Sequence, residues 1–318
     1  MNKVIKRKHH YVWAHYLKEW AENNNIYYIS KKGNISNDSV LGLACEQDFY
    51  KVSFFNKIDL EIARYFANIS TEELSKLHHN IINFVCSAQN IFDLARAKNI
   101  DNNIIKTQED IFRSNLLENY LADIEMNSVS YLRALRDGNI SILDGKSCRW
   151  DFCYYLGYQI ARTKKYRESL NYSIGFVTGE QGDIDKLDDF FHKHWWFMCF
   201  YFGTNLASDL SLNKGYNFSL LTNFTDEPFI TSDQPIVNIN PLGYLSEAVD
   251  NYYPISETRA LLIYSSNELS TMKDIYDKDT VSKLNTEIAK GAGKSIYSSS
   301  RIMIEKYKKS FNSREFKY

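Results

Sequence analysis

Three histidines crowd one short run, Lys8-His9-His10-Tyr11-Val12-Trp13-Ala14-His15-Tyr16-Leu17-Lys18-Glu19-Trp20. Imidazole exchanges protons near neutral pH, so the chemistry such a run suggests is general acid–base work. A second polar cluster lies far along the chain, in Glu227-Pro228-Phe229-Ile230-Thr231-Ser232-Asp233-Gln234-Pro235-Ile236-Val237. Pro235 forbids a helix there and holds Gln234 extended, so the segment reads as strand, polar turn, strand. Thr231, Ser232, Asp233 and Gln234 then gather two hydroxyls, a carboxylate and an amide at one strand end. The ordinary role of Ser and Asp in a turn is to bond nearby backbone amides. The functional role would be Asp233 orienting a histidine or holding a metal. Arg162, Lys164, Lys165 and Arg167 form a third cluster near a helix end. There, favourable interaction with the helix C-terminus and anion binding are equally good readings.

Several other chemistries find no support. The pairs His9/His10, His78/His79 and His192/His194 lack the i, i+4 spacing that helical metal sites use. A divalent metal would need ligands from distant segments, such as His9 or His10 with Asp233, and no cofactor is required by the spacing. There is no Gly-x-Ser-x-Gly elbow, and Gly291-Ala292-Gly293-Lys294 lacks the preceding strand of a phosphate-binding loop. Five scattered cysteines with no Cys-x-x-Cys pair argue against a disulfide framework and suit a reducing compartment. The longest apolar run, Trp195 to Phe202, has eight residues, whereas about 20 are needed to cross a bilayer. These features predict a cytoplasmic protein with no membrane partner. A formal net charge of −1 gives no global field for nucleic acid. Local basic ends exist in Lys3, Lys6, Arg7 and Lys8 and in Lys306, Lys308, Lys309, Arg314 and Lys317.

The elements that must position these residues follow from periodicity. Val12, Tyr16, Leu17 and Trp20 share one face of a short helix over 10–22. Ile26–Ser30 followed by Lys32-Gly33-Asn34 reads as a strand and a turn. From about 58 the pattern is helical, with helices predicted over 71–97, 107–136, 147–169 and 183–212. In the last, Phe190, Phe191, His194, Trp195, Met198, Phe202 and Leu206 make an aromatic stripe suited to a core. After 215 short strands follow, at Tyr216–Leu221, Phe229–Thr231, Ile236–Ile239 and Arg259–Tyr264, then a helix over 279–296 and a strand near 300–304. Grouped helices followed by grouped strands predict an α+β fold. We expect one domain over 1–318, with a predominantly helical part at about 58–212. The strand-rich part at about 215–318 would form a small, mostly antiparallel sheet joined by the N-terminal 1–50.

These blocks resemble a mostly bacterial family, domain of unknown function 4238. The opening is similar to its His-His-Tyr-Val-Pro motif, with Trp13 in place of the proline, and Ala44–Tyr50 is similar to an acidic element ending in Phe-Tyr. The turn resembles its Phe-x-Thr-Ser-Asp-Asn-Pro-Val, with Gln234 for the Asn. Tyr253-Pro254-Ile255-Ser256, Leu284-Asn285 and Ser295-Ile296-Tyr297 match its later motifs, and Arg162-Thr163 its central Arg-Thr-Pro, with Lys164 for the proline. The resemblance implies that His9, Tyr11, Thr231, Ser232, Gln234, Ser256 and Asn285 contribute binding groups around a site, to which the basic cluster adds Arg167. It names no activity, although the family's distribution suggests bacterial defence against phage.

The reading these observations support is a hydrolase of phosphodiesters, nuclease-like. His10 is the general acid–base, Asp233 its orienting carboxylate, and Arg162 the stabiliser of an anionic transition state. Its partners would be nucleic acid or another phosphodiester. The alternative is a non-catalytic binding or scaffold protein, in which the same residues form a structural polar network and a protein partner uses the aromatic helices. The two differ in burial: His10 and Asp233 fully enclosed with no pocket beside them favour the structural network, whereas both lining an open cleft with perturbed titration favours the enzyme. The hydrolase reading also expects His9 or His10 to reach the Thr231–Gln234 turn, with Arg162 approaching from the third long helix.

Overall fold

Asn56 opens the helical region with a reciprocal cap: its side chain accepts from the Asp59 amide while Asp59 accepts from the Asn56 amide. The computed structural model describes residues 4–174, 181–240, 249–266, 269 and 272–313; Lys3, Arg314 and Lys317 lie outside them. Beyond the cap run α2 (Lys57–Asn68), α3 (Glu72–Ala97) and α4 (Asn102–Arg136), and later α5 (Lys146–Ala161), α6 (Lys164–Ile174), α7 (Gln181–Lys193) and α8 (Trp195–Leu212). Helix α8 is apolar around most of its circumference, from Trp195 to Leu210, and is accordingly the buried centre of the helical part.

Two expected helices are interrupted. The predicted 147–169 helix stops at Arg162, and α6 restarts at Lys164. Thr163 between them is fully buried and donates its hydroxyl to Gln234 and to the Ile160 carbonyl, a tertiary demand that local periodicity cannot reveal. The predicted 183–212 helix breaks at His194, whose ring stacks on Phe55 at 4.8 Å and whose backbone leaves the helical region.

The strands form three sheets. A short antiparallel pair joins β1 (Lys8–His10) to β4 (Cys45–Gln47), with His9 opposite Glu46 and His10 opposite Cys45. The hairpin β2 (Asn25–Ile29) and β3 (Ile35–Ser39) meets β11 (Ile296–Ser298) and β6 (Thr231–Ser232) in the order β3-β2-β11-β6, all antiparallel. The third sheet orders β10 (Asp274–Ile275), β5 (Asn217–Asn223), β9 (Arg259–Tyr264), β8 (Asp250–Pro254) and β7 (Val237–Asn238), antiparallel except for β10 beside β5. The fold is therefore α+β, a helical body with small, mostly antiparallel sheets that the N-terminal hairpin joins.

Two local expectations are corrected. Residues 10–22 do not form one helix: β1 precedes α1 (Ala14–Leu17), and a 3₁₀ turn follows at Lys18–Trp20. The predicted apolar face is nevertheless the one buried, since Val12, Tyr16, Leu17 and Trp20 are all inaccessible. The expected strand near 300–304 is instead α10 (Arg301–Asn312). Its buried Met303, Ile304, Tyr307 and Phe311 recur at helical steps against α9 (Lys278–Gly291). Among the described residues, no helix is long and apolar enough to cross a membrane.

Helices α5 and α8 approach closely because both carry a glycine at the contact. A Cβ on Gly157 would lie 2.4 Å from the Gly203 carbonyl oxygen and 2.6 Å from the Ala207 amide. Alanine favours a helix over glycine by about 1 kcal/mol, but here the added methyl must push two backbones apart. Gly157→Ala should therefore destabilise the fold by about 2 kcal/mol net, read as a lower urea and thermal midpoint.

Candidate active site

Strand geometry separates the two adjacent histidines, because neighbouring residues on β1 point to opposite faces. His9 turns inward. Its Nε2 lies 2.9 Å from both the Lys6 and Ser114 carbonyls, and its Nδ1 accepts from the Tyr50 amide at 3.1 Å. Carbonyls accept only, so the proton sits on Nε2 and the ring is neutral. Stacking on Tyr50 at 4.8 Å completes the packing, and burial lowers the His9 pKa below its ordinary value. His9 is a fastener of β1 to α4.

His10 faces the other way, into a cavity of about 210 Å³ that it lines with Trp13, Ala14, Glu118, Leu121, Glu125 and Arg162. Helix α4 supplies Glu118, Leu121 and Glu125 at i, i+3 and i+7, a single helical face. Arg162 caps the C-terminal end of α5, and only 2% of it is exposed. Its Nη1 pairs with Glu125 and its Nη2 donates to Gln159 Oε1 at 2.9 Å. Arg162 Nε and Gln159 Nε2 remain buried donors without a hydrogen-bond partner among the described residues.

The cavity's titrating groups are driven in opposite directions. Burial pushes the Glu118 carboxyl up to about 7; the Arg162 charge opposes this and Glu125 reinforces it. A hydrogen bond with the Tyr50 side chain also opposes the rise, and the Tyr50 hydroxyl donates to the His10 carbonyl. Burial lowers the pKa of His10, and Arg162 and Lys8 lower it further, against a hydrogen bond to the Leu41 carbonyl. That bond, at 3.4 Å, places the imidazole proton on Nε2 and the basic lone pair on Nδ1. Burial also opposes the Arg162 charge, but Glu125 leads the groups that outweigh it and hold the guanidinium above its ordinary value. Near neutral pH the cavity thus offers a neutral imidazole base, a protonatable carboxyl and a fixed cation. Opposed shifts of this kind are how a site divides acid from base.

Asp233 does not line this cavity. It is buried and accepts from three backbone amides, Gly293 at 2.9 Å, Lys294 at 2.6 Å and Ser295 at 3.3 Å. Burial raises its pKa, and those amides pull it back. No hydrogen bond joins Asp233 to His9 or His10 among the described residues. Glu125 is instead the carboxylate that pairs with Arg162, and Glu118 lines the cavity alongside His10.

Among the described residues it is Tyr16 of the N-terminal segment, and neither His9 nor His10 as expected, that hydrogen-bonds the Thr231–Gln234 turn. The Tyr16 hydroxyl donates to the Pro254 carbonyl and accepts from Thr231 Oγ1, both at 2.7 Å. Ser232 Oγ donates to the Gln234 carbonyl at 2.7 Å and accepts from the Gln234 amide at 3.1 Å. Gln234 donates to the Ile236 carbonyl at 3.1 Å and accepts from Thr163. Asn285 accepts from the Ile230 amide and donates to the Pro228 carbonyl, each at 2.9 Å. Ser256 closes the turn between β8 and β9 by accepting from the Arg259 amide at 3.0 Å. Tyr11 is buried against Phe49, and its backbone amide bonds the Ala44 carbonyl. Arg167 stands apart from the His10 cavity, on the faces of Phe49 and Trp195. The structure therefore brings His10 and Arg162 to one cavity, and it engages Thr231, Ser232, Asp233, Gln234, Ser256 and Asn285 in fastening strands and turns.

Glu118, Glu125, Gln159 and Tyr50 were not singled out by sequence. A signal for the two glutamates existed: they interrupt the buried stripe Leu117, Leu121, Ser128 and Leu132 of α4. As for metals, no group of three or more His, Cys, Asp or Glu that could hold an ion occurs among the described residues.

A family model described as protein of unknown function (DUF4238) matches residues 8–194 and 208–301. No curated protein and no solved structure matches the chain.

Two stability tests follow. Asp233→Ala leaves three amides without their acceptor and should cost of order 3 kcal/mol, lowering the thermal midpoint whatever the assay for function. Glu118 behaves differently. Its folded value of about 7 exceeds the ordinary 4.5, so the stability it contributes is complete below about 4.5 and is lost as pH rises through 7. Glu118→Gln removes that loss, and its thermal midpoint should gain on the parent protein between pH 5 and pH 8.

Proposed function

The chain belongs to the DUF4238 family, and from that premise we propose that it is a hydrolase working by acid–base catalysis in the His10 cavity, with phosphodiesters as its substrate class. The observation that carries this reading is the pair of opposed shifts, Glu118 raised to about 7 and His10 lowered, inside one cavity beside a buried arginine. His10 Nδ1 takes a proton from a water that attacks phosphorus. Arg162, which lines the cavity, steadies charge on a non-bridging oxygen. Glu118 gives its proton to the departing alkoxide, so the ester bond is replaced by a P–OH and an alcohol. Solvent then takes the proton from His10 and restores the one on Glu118. Trp13 and Leu121 form the apolar wall that keeps the reacting groups partly desolvated.

The scaffold alternative draws on the Thr231–Gln234 turn, where every polar residue is spent on structural bonds. The cavity at His10 favours catalysis, because a purely structural network has no need of an accessible imidazole with a perturbed titration.

The test is a screen of purified protein against RNA, single- and double-stranded DNA and a chromogenic phosphodiester. The expected rate rises with pH as His10 loses its proton below 6.5 and falls above about 7 as Glu118 ionises. His10→Ala and Glu118→Gln should each lower the rate about 10²–10⁴-fold while remaining folded. Full activity in both folded variants sinks the acid–base assignment. Inertness of the parent protein toward all four substrates sinks the substrate class.

A further inference from the structure

Helix α3 carries two apolar faces. One, with Leu74, His78, Ile82 and Val85, is buried in the helical body. The other flanks it and runs Leu77, Ile81, Phe84, Ala88, Ile91 and Ala95, in alternate steps of four and three. That is the 3.5-residue repeat of a coiled-coil seam, narrower than the stripe of a helix lying on a core. Its largest members are exposed: 41% of Leu77, 52% of Phe84 and 65% of Ile91 is accessible. Phe84 is exposed to this degree even though it touches Phe112 of α4, with ring centroids 5.9 Å apart. A single exposed leucine needs no explanation. Three large apolar side chains at sevenfold spacing form a ridge about 21 Å long.

The charges of α3 are arranged around this ridge. From Leu77 to Phe92, sixteen residues pass without an Asp, Glu, Lys or Arg; Glu72, Glu73 and Lys76 stand before them and Asp93, Arg96 and Lys98 after. Depletion of charge marks the centre of protein interfaces. The ridge is also symmetric about Phe84. Leu77 precedes it by seven residues and Ile91 follows by seven, while Ile81 precedes by three and Ala88 follows by four. Two such helices laid antiparallel, Phe84 beside Phe84, set Leu77 of each against Ile91 of the other and Ile81 against Ala88. Glu73 and Lys98 lie on the flank of the ridge at its opposite ends, and this alignment brings them within one turn of each other across the pair. Parallel alignment would instead place Glu73 beside Glu73 and Lys98 beside Lys98, a like-charge arrangement that opposes association. The antiparallel pair also sets the two helix dipoles head to tail.

We propose that the exposed ridge of α3, centred on Phe84, is the contact face of a homodimer in which two copies of this chain pair antiparallel about a two-fold axis. A two-fold contact needs one self-complementary patch on each subunit, and the symmetry about Phe84 supplies it. One helix pair buries less than the roughly 800 Å² per partner of a standard interface. The association is therefore weak, with a dissociation constant of about micromolar or higher. Helix α3 gives no residue to the His10 cavity, so the dimer stands independently of the hydrolase reading.

The test is sedimentation equilibrium of the whole protein, loaded from about 1 μM to about 300 μM to bracket such a constant. The apparent mass should rise from monomer toward dimer over that range. Phe84→Lys changes a half-exposed side chain and sets two charges together on the two-fold axis, so it should raise the dissociation constant about tenfold or more. Ile91→Lys gives the same reading should Phe84→Lys not fold. Cross-linking with diamide fixes the orientation, each variant being compared with the parent to allow for its own cysteines. Phe84→Cys should yield a disulfide-linked dimer, as should an equal mixture of Leu77→Cys and Ile91→Cys, whereas Ile91→Cys alone should not. A parent that stays monomeric throughout the range overturns the proposal and leaves the ridge to a different protein. Unchanged dimerisation in the folded lysine variants overturns the face, and self-linking of Ile91→Cys overturns the antiparallel pairing.

Discussion

A guanidinium buried at the junction of two helices sets the terms for the centre of this molecule. Taking such a charge out of water costs several kcal/mol unless a counter-charge and hydrogen bonds accompany it. Arg162 is met by Glu125 from α4 and by Gln159 from the preceding turn of its own helix. The pairing requires α4 to run against the end of α5. The chain cannot continue α5 past this point, because Thr163 is committed to Gln234 on the far turn. One short segment thus joins the long helices to the strand-rich part. The cavity sits at that junction, bounded by the charge on one side and the N-terminal segment on the other.

Fastening and cavity lining are divided between neighbours. His9 is consumed in structure and His10 is presented to the cavity. Arg162 borders the cavity, while Thr163 anchors. Tyr16 and Trp20 hold the N-terminal segment to the strand end, Trp20 through its indole N–H to the Phe229 carbonyl at 2.7 Å, whereas Trp13 on the same segment lines the cavity. The polar turn at Thr231–Gln234 is the hub of these anchors. Its Asp233 gathers the loop after α9 through three amides, as a capping side chain gathers a helix start.

Much of this arrangement could be read from residue order. The long amphipathic stretches of α3 and α4 and the strand that turns at Lys32-Gly33-Asn34 follow from local pattern, as does the switch from helices to strands after 215. His10 and Arg162 were identifiable because their residue types stand out in their segments. What local pattern could not supply was pairing partners. Whether 8–10 forms a strand depends on residues 45–47 opposite it. The breaks at Thr163 and His194 depend on Gln234 and Phe55, both remote in sequence. Asp233 drew attention as the carboxylate beside Thr and Ser, yet a carboxylate's role is set by which donors reach it first, and here backbone amides do. Glu118 and Glu125 do not stand out on a helix of mixed polarity, and they gain their place in the cavity only with His10, Trp13 and Arg162 around them.

The hairpin of β2 and β3 completes its sheet only with β11 and β6, and the Ile29–Ser295 bond spans 266 positions. The ribosome therefore delivers β2 long before anything exists to cover its outer edge. Until then the hairpin is a two-stranded ribbon, a form marginal in water with a bare edge open to foreign strands. Contacts of such separation are slow to form, and exposed intermediates are prone to associate with one another. Because Tyr16 and Trp20 wait on the same late strands, Trp13 and the segment beside His10 take their final seat near the end of folding. Nascent and partly folded chains consequently lack a finished cavity.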